Sequence, residues 1–511
     1  MFNVGDYFSW LRKNIKIADY LLYVVVGVLF FVTRLFRLDS FPVFTDEGIY
    51  IRWARIAWHD GNWRFISLTD GRQPLQTWAT IPFLKFFSNN ILLGGRLFAV
   101  ASGLGALIGV IVLTYYLFGK RASFIASFLY ILTPFFLFYD RMALVDSAVN
   151  AGFIWSLFFL ILLARTLRLD VALIYGITAG VALLAKSSTK LFIGMGALTP
   201  LLFLKKKTKA IPSKILNFYV LYGVSAILAL VLYNVQRLSP FFHFVDEKNN
   251  TFIMTFHEFL QTPFMRFPVN SYNIPYFIFS ELSYVVGIFG LIGLFLLFKK
   301  DRNLALYFLA WLILPYLAIA FFAKVVYPRY LIFIAMTLLI LASYFLSTIK
   351  KRSLFALFFL LFVLSISYFD YTIVVRQTAI PFPEVDRWQY ITGISAGTGI
   401  KEIVQYARDH STDKPAIIIA EGNFGVSGDM LEASLRPTDK IAIKGYWPLN
   451  EENLRENQKL VDNNNVFVVF AHRTEFPGIW PIEEIKIFKK PGGESQFSLF
   501  KLKGEEKKNR N

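Results

Sequence analysis

Two adjacent carboxylates, Asp46 and Glu47, stand in the segment Phe44–Thr45–Asp46–Glu47–Gly48, directly after an apolar run at residues 19–38. Charge beside such a run is expensive, so an acidic pair there is a functional-site candidate. A carboxylate in that place can take the proton of an acceptor hydroxyl, or hold a divalent cation such as Mg²⁺ or Mn²⁺. It can also be purely structural, with Asp46 capping a helix that runs from Glu47 to Trp58. A second acidic segment is Asp140–Arg141–Met142–Ala143–Leu144–Val145–Asp146. Asp140 and Arg141 read there as a local ion pair, while Asp146 opens the next apolar run, where a negative charge suits the helix dipole. A metal, if one is used, has Asp46, Glu47 and Asp146 as its candidate ligands.

The elements that must position these groups are apolar helices. Of 511 residues, 56% are hydrophobic and 17% charged, and 55 are Phe, more apolar side chain than one soluble core can absorb. Runs of about 17–25 apolar residues span a hydrocarbon layer about 30 Å thick. Eleven are read, at 19–38, 92–118, 122–138, 149–167, 171–185, 190–204, 216–233, 281–298, 304–323, 330–348 and 353–370. The net charge of +18 sits wholly in the first 370 residues, because residues 371–511 carry 19 basic and 19 acidic side chains. Basic charge on so apolar a chain does not describe a nucleic-acid binder. With no Cys there is no disulfide framework and no thiolate chemistry.

Cytoplasmic loops collect Lys and Arg. With Arg12, Lys13 and Lys16 inside, alternate loops hold 18 basic residues, among them Lys205, Lys206, Lys207 and Lys209. The short outer connections hold Arg141, Lys186, Lys190, Lys324 and Arg329. Residues 1–18 are then a cytoplasmic N-terminus, 19–370 a membrane domain and 371–511 an outer domain. The lack of Cys and the compact loops fit a prokaryotic plasma membrane. Arg72, Lys186, Lys190, Lys324 and Arg329 lie at outer helix ends, against the orientation rule. Snorkelling to headgroups explains any one of them, and a phosphate at the outer surface explains the group.

Two outer loops are long. The first, 39–91, is read as two interfacial helices, Ile49 to Trp58 and Leu75 to Phe87, with Trp53, Trp58, Trp63 and Trp78 as headgroup-level anchors. The second, 234–280, is rich in Phe, Pro and Asn. Beyond Tyr371, helical and extended patterns alternate and end in a hairpin, which predicts an α/β domain with a small parallel sheet in an accessory role. Gly393, Gly397 and Gly399 follow no strand, so they are not read as a dinucleotide fingerprint.

These residues resemble a known family. A long outer loop after the first span, opening on an Asp–Glu pair and continuing through Gln73–Pro74–Leu75, looks like the C-type (GT-C) membrane glycosyltransferases. The branch it is most similar to is the protein O-mannosyltransferase and aminoarabinose-transferase-like group. Lys186–Ser187–Ser188–Thr189–Lys190, the 140–146 segment and Tyr327–Pro328–Arg329–Tyr330 resemble that group's later outer-loop motifs. The resemblance covers about residues 19–370. It implies a polytopic helical enzyme that takes a sugar from a polyprenyl-phosphate carrier and passes it, with inversion, to a lipid, glycan or protein acceptor. It further implies Asp46 as base with Glu47 in support, and Lys186, Lys190, Arg329 and Arg72 on the donor phosphate. Asp140, Arg141, Asp146, Gln73, Tyr327 and Tyr330 would line the pocket. Relatives often carry His–Pro–Pro where this chain has Arg72–Gln73–Pro74, which leaves the acceptor side and any His-dependent metal open. The first loop has no Asp-x-Asp pair, which argues against a metal-bound nucleotide sugar.

Two other readings compete. A transporter or flippase for an anionic lipid-linked substrate would show mid-membrane charges and internal repeats, and neither stands out in the sequence. A receptor whose outer domain binds a partner would not need eleven spans.

Overall fold

The structure, a computed structural model, describes residues 17–203 and 211–505. Arg12, Lys13 and Lys16, with most of the expected cytoplasmic N-terminus, lie outside the described residues, as do Lys205, Lys206, Lys207 and Lys209.

An apolar chain in lipid must satisfy its own backbone, so the apolar runs become helices. The chain begins with α1 (Ile17–Leu35), passes through the first long loop as α2 (Thr45–His59) and α3 (Leu75–Phe86), and continues into α4 (Ile91–Phe118). The run expected at 122–138 is two pieces, α5 (Lys120–Leu132) and α6 (Pro134–Tyr139), because Pro134 has no N–H to continue the first and suits the start of the second. After α7 (Asp146–Thr166) and α8 (Leu169–Ala185), the run expected at 190–204 is a short helix, α9 (Lys190–Gly196), followed by a 3₁₀ turn, Thr199–Phe203. Past α10 (Ile211–Asn234), the second long loop carries α11 (Phe244–Phe252), α12 (Phe256–Gln261) and α13 (Phe267–Glu281), and α13 is bent by 106° from α14 (Val285–Lys300). The bundle closes with α15 (Arg302–Phe322), α16 (Ile332–Thr348) and α17 (Arg352–Val374).

Among the described residues six stretches are long and apolar enough to cross a membrane: Ile91–Phe118, Asp146–Thr166, Ile211–Leu238, Arg302–Phe322, Pro328–Thr348 and Arg352–Val374. The bent pair α13 and α14 makes up to seven if taken as one span. The apolar window of Pro328–Thr348 is 89% buried and that of Arg352–Val374 only 17%, so α16 is the centre of the bundle and α17 its rim.

The C-terminal domain contains α18 (Ile400–Asp409), β1 (Ala416–Glu421), α19 (Gly428–Glu432), β2 (Ile441–Tyr446), α20 (Glu451–Asn457), β3 (Asn465–Phe470), β4 (Ile482–Lys489) and β5 (Gln496–Leu502). The strand order is β2-β1-β3-β5-β4, with β1 parallel to both neighbours and β4–β5 an antiparallel hairpin. Strand β1 is buried along its whole length, as a parallel strand covered on both faces should be. The expected small α/β domain with a closing hairpin is the one observed.

This domain sits directly on α2. Phe44 forms an isolated bridge with Ala396, and the Thr45 N–H donates to the Ser395 carbonyl at 3.1 Å. Arg52 pairs with Asp429 at 2.8 Å. Trp53, expected at the headgroups, is instead buried, its ring 6.0 Å from that of Phe424. Gly48 lets the two backbones meet, since a Cβ there would stand 2.8 Å from the Asp429 carbonyl carbon. Replacing Gly48 by Val should lift α19 from α2. Hydrogen exchange is the check: amides in residues 422–433 should exchange at least tenfold faster, with those of α16 unchanged.

Candidate active site

Helix α2 starts at Thr45, with Phe44 as N-cap, so Asp46 and Glu47 both fall in the first turn. Their surroundings differ completely. Glu47 does the capping expected of Asp46, accepting the Phe44 N–H at 3.0 Å on Oε2. The same oxygen accepts from Arg96 Nη2 at 2.8 Å, while Oε1 accepts from Arg96 Nε at 2.8 Å and from the Ala143 N–H at 2.7 Å. Glu47 and Arg96 are both fully buried. Four donors fill the Glu47 carboxylate, which leaves it nothing to offer a substrate or a metal.

Asp46 faces the other way, into a cationic group. Arg72 Nη2 donates to Oδ1 and Arg329 Nη2 to Oδ2, each at 3.1 Å. Burial pushes the Asp46 carboxyl up, but the Arg72 and Arg329 charges outweigh it and hold the pKa below the usual carboxylate range. Arg72 is shared with Asp70 at 2.9 Å, and Lys248 reaches Asp70 from the second loop at 2.8 Å. The turn at Gly71 (φ +65°) packs on Phe244 and Lys248, and so joins the two long loops beside Asp46.

Arg329 donates to the Tyr390 hydroxyl at 2.9 Å and lies against the rings of Tyr327 and Tyr330, 5.1 and 5.6 Å from their centroids. Lys186 stands 4.0 Å from the Tyr330 centroid and pairs with Asp146 at 2.9 Å. Burial lowers the Lys186 pKa despite Asp146. The Gln73 amide donates to Ser187 Oγ at 2.5 Å and accepts the Ser187 N–H at 3.2 Å, which ties the start of α3 to this turn. Four cations, Arg72, Arg329, Lys186 and Lys248, thus meet three carboxylates, Asp46, Asp70 and Asp146.

Other expected pocket residues are elsewhere. Asp140 and Arg141 do not pair with each other, because neighbours in a tight turn point apart. Asp140 is fully buried, bound to Arg34 at 3.2 Å, Tyr130 at 3.0 Å and Ser147 at 2.9 Å. Arg141 closes the end of α1, donating to the carbonyls of Thr33, Arg34, Phe36 and Arg37. Both brace the bundle instead of lining the pocket. Lys190 packs on the Tyr233 ring, 5.1 Å from its centroid, and Lys324 pairs with Glu258 at 2.8 Å.

The donor set does not fit a divalent cation. Glu47 is saturated, Asp46 and Asp146 are each paired with a cation, and among the described residues no three His, Asp or Glu gather as a metal site. Arg96, Asp70, Lys248 and Tyr390 were not anticipated from sequence. A charge six positions into an apolar helix is the signal that marks Arg96. Asp70 and Lys248 carry no local signal, since their roles come from contact between distant loops.

The sequence matches no protein-family model and no curated protein. Solved structures do match. ArnT from Cupriavidus metallidurans, an aminoarabinose transferase, is 15% identical in its apo state, with a TM-score of 0.61 over 95% of this chain and 99% of that one. Its form bound to undecaprenyl phosphate gives 0.62 at the same identity and coverage. The oligosaccharyltransferase AglB from Archaeoglobus fulgidus, in complex with an inhibitory peptide and a dolichol-phosphate, is 14% identical, with a TM-score of 0.51 over 90% of this chain and 70% of that one. The chain has the GT-C membrane glycosyltransferase fold.

Glu47 and Asp46 can be told apart by stability. Arg96→Met leaves a buried carboxylate uncompensated and should cost about 3–5 kcal/mol. Arg72→Ala, at a partly exposed pair, should cost at most about 1 kcal/mol. Unfolding in detergent measures both.

Proposed function

We propose that this protein transfers a sugar from a polyprenyl-phosphate donor to a lipid, glycan or protein acceptor at the outer face of a plasma membrane. In this reading the N-terminus is cytoplasmic, both long loops and the C-terminal domain lie outside, and the donor phosphate binds where the four cations meet. The observation that carries the reading is the Asp46 carboxylate held between Arg72 and Arg329, beside Lys186, where the ends of α7, α8 and α16 meet the first long loop. A base and a phosphate site within one ion-pair network suit a reaction in which a hydroxyl loses a proton while a phosphate departs. The likeness to ArnT bound to undecaprenyl phosphate and AglB in complex with a dolichol-phosphate supports the donor class.

The chemistry follows from the charges. An acceptor hydroxyl attacks the anomeric carbon, its proton passes to the Asp46 carboxylate, and the bond from the anomeric carbon to the phosphate oxygen breaks. The electron pair of that bond leaves on the polyprenyl phosphate, where Arg72, Arg329 and Lys186, with Lys248, offset the growing charge. One displacement inverts the anomeric centre. Glu47 acts as a positioning residue, fixing the turn that carries Asp46.

The same geometry makes the base conditional. Held by two guanidinium groups, Asp46 is a weak acceptor of protons. The donor's phosphodiester, a monoanion, competes for both guanidiniums, so donor binding loosens their hold on the carboxylate as it fills the site.

Asp46→Asn tests both points. Transfer should fall by about 10²–10⁴-fold, the usual contribution of general base catalysis. Affinity for undecaprenyl phosphate should rise, because a competitor for the cations is gone. Glu258→Gln, which removes a charge from the second loop away from this network, should change neither by more than about twofold. Normal turnover by Asp46→Asn excludes Asp46 as the base.

A further inference from the structure

The cations at the mouth account for a phosphate and leave the sugar without a site. Helix α3 supplies an unusual feature beside them. Its inward face runs through Gln76, Thr77, Thr80, Ile81 and Leu84, buried at helical spacing against α2, α4 and α8, with buried Gln73 just ahead of its first turn. The end of that face away from the site is apolar. The end that starts at Arg72 and the Lys186 turn is polar.

Those polar groups lack partners. Of seventeen buried side-chain nitrogen and oxygen atoms without a hydrogen bond among the described residues, five belong to neutral side chains within residues 67–80: Ser67 Oγ, both amide atoms of Gln76, Thr77 Oγ1 and Thr80 Oγ1. All four side chains are 0% exposed. Helical threonines usually donate to the carbonyl one turn back, as Thr114 does to Val110 and Thr337 to Phe333. Thr77 and Thr80 make no such bond. A buried polar group left unpaired costs about 1–3 kcal/mol, so a cluster of them beside a binding site points to a partner that is not part of the chain.

We propose that this face of α3, with Ser67, receives the sugar ring of the donor. The inference rests on the donor reading above and extends it from the phosphate to the sugar. The chemical class follows from the groups: one amide and three hydroxyls, each able to donate and accept and none charged, suit a neutral ring bearing several hydroxyls. The cations beside them take the charged half of the same molecule. Gln73 keeps the start of α3 against the Lys186 turn through its two hydrogen bonds with Ser187, and the ring enters as those bonds open. Gln76, Thr77 and Thr80 then determine which sugar is accepted, because a site built to pair hydroxyls rejects a ring whose hydroxyls do not match.

The test compares two ligands on the full-length protein in nanodiscs: undecaprenyl phosphate alone, and undecaprenyl-phosphate-linked mannose, glucose, galactose and arabinose. The unaltered protein should bind at least one sugar-bearing lipid tenfold or more tighter than the bare lipid phosphate. Gln76→Leu and Thr80→Val, close in shape but unable to pair, should remove that difference. They should leave bare undecaprenyl phosphate affinity within twofold and the melting temperature unchanged or higher. Equal binding of bare and sugar-bearing lipids by the unaltered protein overturns the inference while leaving the phosphate site standing. A fall in melting temperature with equal losses for both ligands also overturns it, since the groups would then serve only the fold. If the unaltered protein binds no undecaprenyl phosphate, the donor reading fails and the inference with it. Thr77→Ser, which keeps the hydroxyl, should retain sugar preference where Thr77→Val loses it.

Discussion

One buried ion pair governs the geometry of the candidate site. Glu47 and Arg96 have no exposure to solvent, and the Glu47 carboxylate holds together three separate pieces of chain: the start of α2, helix α4 and the turn before α7. Arg96 adds the carbonyls of Leu38 and Phe41 at 2.8 and 3.1 Å, which fixes the exit from α1. Charges buried this deeply are tolerated only when every lone pair and proton is used, and here they are. The pair leaves one orientation for the first turn of α2, and therefore one direction for the neighbouring Asp46.

From that constraint the site follows. Asp46 points away from the packed interior toward cations drawn from three regions distant in sequence: Arg72 on the first loop, Lys248 reaching the same network through Asp70 on the second, and Arg329 at the head of α16. The C-terminal domain supports the arrangement. Tyr390 steadies Arg329, and the 395–396 segment pins the residues that precede Asp46. Arg141 and Asp140 do comparable work at the same, C-terminal end of α1, where carbonyls and guanidiniums lock the first helix to the bundle.

Much of this was legible in the sequence, and the limits have physical causes. The two loop helices, the α/β domain and its closing hairpin could be read from periodicity, because each buries one face against a neighbour. Helix α13 could not: Pro268 and Pro275 in a segment rich in Phe and Asn look like loop, yet Pro268 suits a helix start and packing carries the helix past Pro275. The likeness of Asp46 and Glu47 in sequence hid their difference, which is made by Arg96, Arg72 and Arg329. Asp140 and Arg141 misled for the opposite reason. Adjacency suggested a pair, while the turn sent one to Arg34 and the other to the end of α1. Trp53 reads as a headgroup-level anchor because nothing local announces that the C-terminal domain covers it.

The most direct test of the account is to incubate the purified protein, in vesicles, with undecaprenyl phosphate carrying a radiolabelled sugar and an extract of membrane acceptors, and to identify the labelled product by mass spectrometry. Label leaving the lipid for an acceptor, with undecaprenyl phosphate released in equal amount, is the result predicted. Label crossing the bilayer still attached to its lipid, with no acceptor modified, would contradict it.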